Sequence, residues 1–521
     1  MGVTESPVRD PRRWWMLVVL CLSVLLVTVD NTIVNVALPT LSSELDASTS
    51  GLQWIVDAYT LVFASLLLLA GHLGDRFGRL RTLQVGLLLF GLTSLLAALA
   101  GSTGELVAGR AAMGVAAALI YPATLGLLTN IFTDARERAT AIGIWAGVSG
   151  LAVAIGPVSG GVLLEHFGWN SVFLINLPIV VLALIAGRLL LSESKDPHAG
   201  GFDRLGAFGS VAFVATLVGT LIEAPNHGWT SGFTLTGFAA AAVLLIAFVG
   251  WEARHPHPLL DVRLFTNPRF SAASGAITAA FFALFGFIFL ITQYFQAVEG
   301  WGPLRAGLAT LPFALVTGVL SPVAILLMKR LGTTVVVTAG MALMSAGFYL
   351  ASTATLNSSY WGTIISSMVL MAAGLALSTG PATDAIIGAL PKEKAGVGSA
   401  VNDTTREVGG TLGVAVLGSV LSSFYASSVQ DSLSGLGIGG ESAAIAKESV
   451  MAGVAMAGQL PAELAGPAAD AVKQGFLDGL QAGSLIAAAT AAVGAVAVAF
   501  LLPARHREET PAEKDQQLTS A

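Results

Sequence analysis

Apolar residues run along this chain in long stretches separated by short polar connections, and the stretches recur from one end to the other. Fourteen of them approach or exceed the ~20 residues a helix needs to cross a hydrocarbon core. They cover roughly 14–38, 52–71, 82–101, 106–129, 139–163, 171–191, 205–223, 233–250, 271–296, 304–328, 333–353, 360–381, 398–422 and 480–502. One buried helix of a soluble protein explains one such stretch but not a series. The pattern predicts an all-α membrane protein of fourteen transmembrane helices. The one long connection, 423–479, is rich in Ala, Gly and Ser, and its apolar run 450–458 is too short to span. It reads as a solvated or interfacial hairpin.

Composition agrees with a lipid solvent. Hydrophobic residues make up 54% of the chain and charged residues 11%, at a mean hydropathy of +0.77, whereas soluble domains carry about 25% charged residues. The net charge of −6 says little here, because placement matters more than the sum. Of the 26 Lys and Arg, 21 fall on one alternating set of connections and adjoining helix ends when the N-terminus is placed inside. Three (Arg305, Lys447, Lys473) fall outside, and two (Arg110, Arg406) lie within spans. That bias is the positive-inside rule. It places both termini in the cytoplasm, of an inner (plasma) membrane, with 503–521 as a cytoplasmic tail. Residues 1–13 carry no small-residue cleavage site and read as a tail before an uncleaved first span. Cys21, the lone cysteine, excludes an intrachain disulfide or a cysteine-based metal site. No P-loop or zinc-protease signature is present, so the expectation is no cofactor and no metal, with a gradient as the energy source. Nothing points to nucleic acid as a partner.

Three local patterns carry a family resemblance. Gly71-His-Leu-Gly-Asp75-Arg76-Phe-Gly78-Arg79-Leu80-Arg81 joins spans 2 and 3, with Leu80 in place of a usual basic residue. Val29-Asp30-Asn31-Thr32 leads to Asn35 and Pro39 at the end of span 1, and Gly156-Pro157-Val-Ser-Gly160-Gly161 lies in span 5. These resemble the major facilitator superfamily, specifically its fourteen-span drug:proton antiporter branch of the quaternary-ammonium exporter type. Arg110-Ala-Ala-Met113-Gly114 resembles the span 4 motif of that group, with Met113 in place of the usual Gln. The resemblance implies two six-helix bundles of inverted repeats, with spans 7 and 8 inserted between them. The division is then 1–192 for the first bundle, 193–269 for the inserted pair and its linkers, and 270–502 for the second bundle including 423–479. A functional monomer is the expected state. The second-bundle counterpart of the span 2–3 loop is Leu327-Met-Lys329-Arg330-Leu-Gly332, which has lost the Asp.

Charges inside hydrocarbon are expensive, so such residues normally face a cavity and mark function. At ~1.5 Å rise per residue, Asp30 lies roughly 13 Å below the outer end of span 1 and Asp57 roughly 8 Å into span 2, with Arg110 at a similar depth in span 4. Two acids and one Arg leave a spare carboxylate, able to take a proton or a cation. Span 13 holds a comparable set, Asp403, Arg406 and Glu407, in which the acids share a helix face. Glu407 reaches roughly 15 Å, near the midplane. Desolvation penalises a charged carboxylate there unless the Arg offsets it. That is the physical requirement for exchanging a proton against a cation on one site. Two readings of Arg110 and Arg406 stay open: packing partners that neutralise acids, or members of a transport site.

Proline removes a helical hydrogen bond and glycine admits a close neighbour, so Gly156, Pro157, Gly160 and Gly161 predict a bent span 5 packed tightly on a partner. In the span 2–3 loop, Asp75 can accept from a helix N-terminus or pair with a nearby Arg, and Gly78 permits a tight turn. Together with Gly71, Arg76 and Arg79 this makes a gating loop. Phe281, Phe285 and Phe289 form a stripe on span 9 that could line a pocket for a lipophilic cation, lipid-facing packing being the alternative. The reading is a secondary active multidrug exporter, not an enzyme, driving lipophilic cationic or amphiphilic compounds out against protons. The alternative is a proton-coupled exporter of an endogenous metabolite, lipid or siderophore. In a Cys21→Ala background, cysteines at 46, 227, 357 and 450 are expected to label from outside intact cells, and those at 79, 198 and 394 are not. External labelling at 198 with protection at 357 would overturn the fourteen-span topology.

Overall fold

The computed structural model describes residues 11–195, 203–256, 258–390 and 395–502. Among the described residues there is no strand, and fourteen helices are long and apolar enough to cross a membrane. Spans 1 to 7 are Arg13–Glu44, Thr49–Phe77, Arg79–Ala98, Thr103–Ile131, Arg136–His166, Ser171–Leu190 and Arg204–His227. Spans 8 to 14 are Gly232–Glu252, Pro268–Val298, Pro303–Leu331, Thr333–Ala351, Tyr360–Gly388, Ala400–Gly435 and Ala462–Leu501. Short polar residues set many of the starts. Ser48, Asp134, Asp203, Ser231 and Asn267 each accept from a backbone amide of the first turn they precede, which satisfies donors that a helix leaves open.

Helix neighbours repeat. Span 1 packs on spans 5 and 6, span 2 on span 4, and span 3 on spans 4 and 6. Eight spans later the same pairs recur: 9 on 13 and 14, 10 on 12, and 11 on 12 and 14. The turns after spans 2 and 10 repeat as well, each closing on a glycine of positive φ, Gly78 at 116° and Gly332 at 87°. Only glycine adopts such angles without strain. Spans 7 and 8 fall outside the repeat: span 7 packs on spans 2 and 13, and span 8 packs on span 7.

The start of span 1 and the end of span 14 lie on one face, the termini face. There Arg13 pairs with Glu137 at the start of span 5 (3.0 Å), and Thr334 donates to the Leu502 carbonyl (2.6 Å). The two halves meet toward the opposite face. Gln53 of span 2 donates to the Ala415 carbonyl of span 13 (3.0 Å), and Gln296 of span 9 to the Val36 carbonyl of span 1 (2.9 Å). Span 5 shows the asymmetry most clearly. In its opposite-face half, β-carbons added at Gly156 and Gly160 would strike Thr32 and Ile33 of span 1, and one at Gly161 would strike Leu304 at the start of span 10. In its termini-face half, β-carbons at Gly143, Gly147 and Gly150 would meet nothing within 4 Å. The halves thus touch on the opposite face, where Gly161 meets Leu304, Gln53 meets Ala415 and Gln296 meets Val36, while span 5 faces open space at Gly143, Gly147 and Gly150 toward the termini face. The span 5 helix runs continuously through Pro157.

The 423–479 connection differs from the solvated hairpin expected. Spans 13 and 14 extend into it, and the helices Glu441–Glu448 and Val450–Ala457 fold back onto spans 1, 13 and 14. Tyr425, 2% exposed, donates to the Ala446 and Ser449 carbonyls. Ser449 bonds Ser42 across the halves (2.7 Å), and Thr49 donates to the Glu448 carbonyl (3.0 Å). The apolar run is buried in a cap because small residues such as Gly453, set against Tyr425 and Val472, let the short helices settle close. Val450 is 3% exposed, so Gly440, which is exposed, is the better labelling position there. Positions 198 and 394 and the tail 503–521 lie outside the described residues.

The Ser42 and Ser449 hydroxyls meet at 2.7 Å, so sulfurs placed at these two side-chain tips are near neighbours. Ser42→Cys with Ser449→Cys in the Cys21→Ala background is expected to cross-link on mild oxidation and to stop turnover, with recovery on reduction. Efficient cross-linking with undiminished transport would show that the opposite face need not open.

Candidate functional site

Asp30, Arg110 and Asn176 meet at the centre of the first half. The Arg110 Nη1 lies 2.5 Å from Asp30 Oδ2, and both side chains have no exposure. Asn176 of span 6 donates to Asp30 Oδ1 (2.8 Å) and to Ser94 of span 3 (3.2 Å). The Arg110 Nε donates to the Ile55 carbonyl of span 2 (3.1 Å), and its guanidinium lies 4.2 Å from the ring centroid of Tyr59. Tyr59 in turn donates to the Val27 carbonyl of span 1 (3.1 Å). A single ion pair thus ties spans 1, 2, 4 and 6 together. A desolvated pair survives only when its remaining lone pairs and protons find partners, and here most do.

Asp57 does not join this network. It is fully buried, and neither carboxylate oxygen has a hydrogen-bond partner among the described residues. The spare acid implied by two carboxylates and one guanidinium is therefore Asp57, with Asp30 saturated. An isolated ionised carboxylate in such a site costs far more than a neutral one.

The span 13 set is built more loosely. Arg406 Nη1 lies 3.8 Å from Asp403 Oδ1, with side chains 37% and 16% exposed, and the guanidinium sits 4.5 Å from the Phe281 ring centroid. Asn402 donates to Asp403 (3.4 Å) and accepts from Thr383 of span 12 (3.0 Å). Glu407 is half-buried, and no side-chain partner is found for it among the described residues. Tyr59 is within electrostatic range of Asp30, Arg110 and Glu407, and Tyr121 of span 4 of Asp403, Arg406 and Glu407. The two charged sets thus address one another across the seam. Aromatic contacts run along the first-half side of it, from Tyr59 to Phe63 (6.0 Å), Phe63 to Tyr121 (5.8 Å) and Tyr121 to Trp145 (5.2 Å).

The phenylalanine stripe divides. Phe281 carries Arg406, Phe285 packs beside Gly410 of span 13, and Phe289 has no exposure and belongs to the packed interior. The aromatic wall at the seam instead comes from Tyr59, Phe63, Tyr121 and Trp145, which the span 9 reading missed. A tyrosine inside an apolar span was the available signal, because its hydroxyl needs a partner. Asn176 carried a similar signal. Two apolar grooves, about 550 and 400 Å³, run side by side between spans 9 and 14 near the termini face and reach Thr405. They have no ionisable lining.

In the span 2–3 loop Asp75 pairs with Arg79 (2.7 Å), and Arg79 also donates to the Gly126 carbonyl of span 4 (3.2 Å). Arg76 lies over Phe77. The N-terminus of span 3 is capped by Glu193, which accepts from the Leu80 and Arg81 amides (2.9 and 3.1 Å). Any side chain at Gly78 would collide with that carboxylate. Asp75 thus takes the arginine-pairing option, and the cap comes from a residue distant in sequence. Gly71 faces Pro122 of span 4. Among the described residues no group of three or more His, Cys, Asp or Glu could hold a metal ion.

Two repeated halves around a charged, aromatic seam, in contact on one face, are the build of a polytopic membrane transporter. Comparison makes this specific. The chain belongs to the Major Facilitator Superfamily, whose profile matches residues 20–414. It is 38% identical over 500 residues to the multidrug efflux pump LfrA of Mycolicibacterium smegmatis, covering 95% of this chain and 98% of that protein. It is 35% identical to the tetracenomycin C resistance and export protein of Streptomyces glaucescens, covering 98% and 96% of the two chains. The methyl viologen resistance protein SmvA of Salmonella typhimurium is 36% identical, with 89% and 93% covered. Among solved structures, an inward-facing, unoccupied bacterial homolog of the human lysosomal transporter Spinster shares the fold at a TM-score of 0.65 and 17% identity, with 96% and 99% covered. The xylose transporter XylE of E. coli in its inward open conformation does so at 0.57 and 14%, with 97% and 99% covered. These relatives are transporters and efflux pumps, not enzymes.

Thermal unfolding of purified variants tests the division of labour between the acids. Asp30→Asn strands a buried guanidinium and is expected to cost about 3–5 kcal/mol. Asp57→Asn removes a carboxylate without partners and is expected to be neutral or stabilising. The reverse order would overturn the assignment of Asp57 as the spare acid.

Proposed function

We propose that this protein is a proton-driven exporter of lipophilic cationic or amphiphilic compounds, working by alternating access in the inner (plasma) membrane. The observation that carries the reading is the seam itself: two sets of intramembrane acids, each with one arginine, facing each other across aromatic rings. Their asymmetry suggests the roles. Asp30 and Arg110 anchor the first half, while Asp57, Asp403 and Glu407 have spare proton-binding capacity. The partly exposed Arg406–Asp403–Glu407 group takes up protons and substrate, and Tyr59, Tyr121 and Phe281 supply flat faces to a lipophilic cation.

The termini face is the cytoplasmic one in this reading, so the structure is inward-facing. Units 1–192 and 270–502 rock against each other, with 193–269 carrying the inserted pair. Gly156, Pro157, Gly160 and Gly161 form the tight outer seal, and Gly71, Asp75, Arg76, Gly78 and Arg79 form the inner gate, unlatched from the second half in this state. The transporter needs no cofactor beyond the proton gradient, contacts only lipid, protons and its small-molecule substrate, and acts as a monomer. The names of the relatives, multidrug and antibiotic efflux proteins, support drugs as cargo over an endogenous metabolite, lipid or siderophore.

Proteoliposomes with an imposed pH gradient test the coupling. Asp403→Asn with Glu407→Gln is expected to abolish gradient-driven export of all substrates along with substrate-induced proton release. Asp57→Asn is expected to lower coupling while sparing substrate binding. Normal export by all of these variants would mean that the buried acids are structural. Transport of lipid alone, with no response to cationic drugs, would favour the endogenous cargo.

A further inference from the structure

A second acidic site lies away from the seam, where the inserted pair meets the termini face. Asp203 caps the start of span 7 and Glu252 ends span 8; they are 4% and 2% exposed. Asp203 is well supplied. Its Oδ1 accepts from the Gly206 amide (2.8 Å), the Trp251 indole reaches both of its oxygens (3.0 Å each), and His255 Nδ1 lies 3.6 Å from Oδ2. Glu252 is supplied on one side only. Its Oε2 accepts from the Leu260 amide (2.9 Å), whereas its Oε1 is buried with no hydrogen-bond partner among the described residues. A β-carbon added at Gly206 would overlap both Glu252 Oε1 and Asp203 Oδ2. Glu252 Oε1 and Asp203 Oδ2 therefore both border the space that this glycine leaves, within a few ångströms of one another.

Two ionised carboxylates do not stay in such an arrangement, because like charges a few ångströms apart in a buried site repel strongly. The arginines nearby are engaged elsewhere, which leaves His255, on the Asp203 side, as the neighbouring group able to offset the charge. Arg254 is turned to the Gly250 carbonyl and Arg263 to the Ala253 carbonyl. Arg204 is exposed, and Asp261 accepts from the Arg263 amide. His255, stacked on Trp251, approaches Asp203 Oδ2. His257 lies outside the described residues. A proton on Glu252 Oε1 removes the repulsion and gives the orphaned atom a hydrogen to donate toward Asp203.

We propose that Asp203 and Glu252 form a proton-binding site, holding one shared proton, that is separate from the transport seam. The site joins three segments: the start of span 7, the end of span 8 and, through the Leu260 amide, the linker that feeds span 9 of the second half. With the proton bound, the inserted pair is tied to that linker. With the proton lost to water at the termini face, the acids repel and the Leu260 amide is released.

The test needs no substrate. Infrared difference titration of the full chain in lipid nanodiscs is expected to show a buried protonated-carboxyl band that bleaches as pH rises. The band should be lost in Glu252→Gln and in Asp203→Asn, and kept in Asp57→Asn and Glu407→Gln. Hydrogen exchange gives a second readout. Corrected for intrinsic base catalysis, the peptide containing Leu260 should lose protection over the same pH range in wild type. In Glu252→Gln, whose amide can donate permanently to Asp203, it should not. A folded Glu252→Gln protein with the wild-type band and wild-type exchange would overturn the proposal. That result leaves the exporter reading untouched, since no transport is measured.

Discussion

A charge in hydrocarbon must be answered, and the first half is organised around one answer. Arg110 cannot shed its proton, so in span 4 it recruits a carboxylate from span 1, a carbonyl from span 2 and the Tyr59 ring. Asp30 then needs a second donor, and Asn176 of span 6 supplies it. Helices that gain nothing from ordinary hydrophobic association in lipid are thereby fixed in register by a few polar contacts. Removing either charge leaves the other stranded.

The second half follows the same rule with slack. Arg406 is shared between a long contact to Asp403 and the face of Phe281, and Glu407 is left open. The first pair is tight and fully buried, whereas the second set is longer in its contacts and partly exposed.

Small residues decide where the halves touch. Gly156, Gly160 and Gly161 admit spans 1 and 10 so closely that no side chain would fit, while Gly143, Gly147 and Gly150 on the same helix face open space. Span 5 therefore acts as a seal at one end and as a wall at the other. Span 7 adds a lateral tie: Trp54 of span 2 donates to Glu223 (3.0 Å), and Ser419 of span 13 donates to the Leu221 carbonyl (2.6 Å). The inserted pair is thus held to both halves by polar contacts near the sealed face.

Span number, order and helical class were legible in the chain itself, because crossing hydrocarbon demands long apolar runs and internally satisfied backbones. So were the ionisable residues at Asp30, Asp57, Arg110, Asp403, Arg406 and Glu407, since a charge inside such a run stands out. What they pair with was not legible. Sequence spacing can place Asp403 one turn from Arg406, but it cannot say that Asn176, far away on span 6, completes Asp30 while Asp57 goes without. Glu193 capping span 3, the cap folded from 441–457 and the closeness of Asp203 and Glu252 are equally distant pairings. Periodicity and hydropathy are local, one-dimensional properties. Which buried polar atom meets which is settled only when helices from distant parts of the chain pack together.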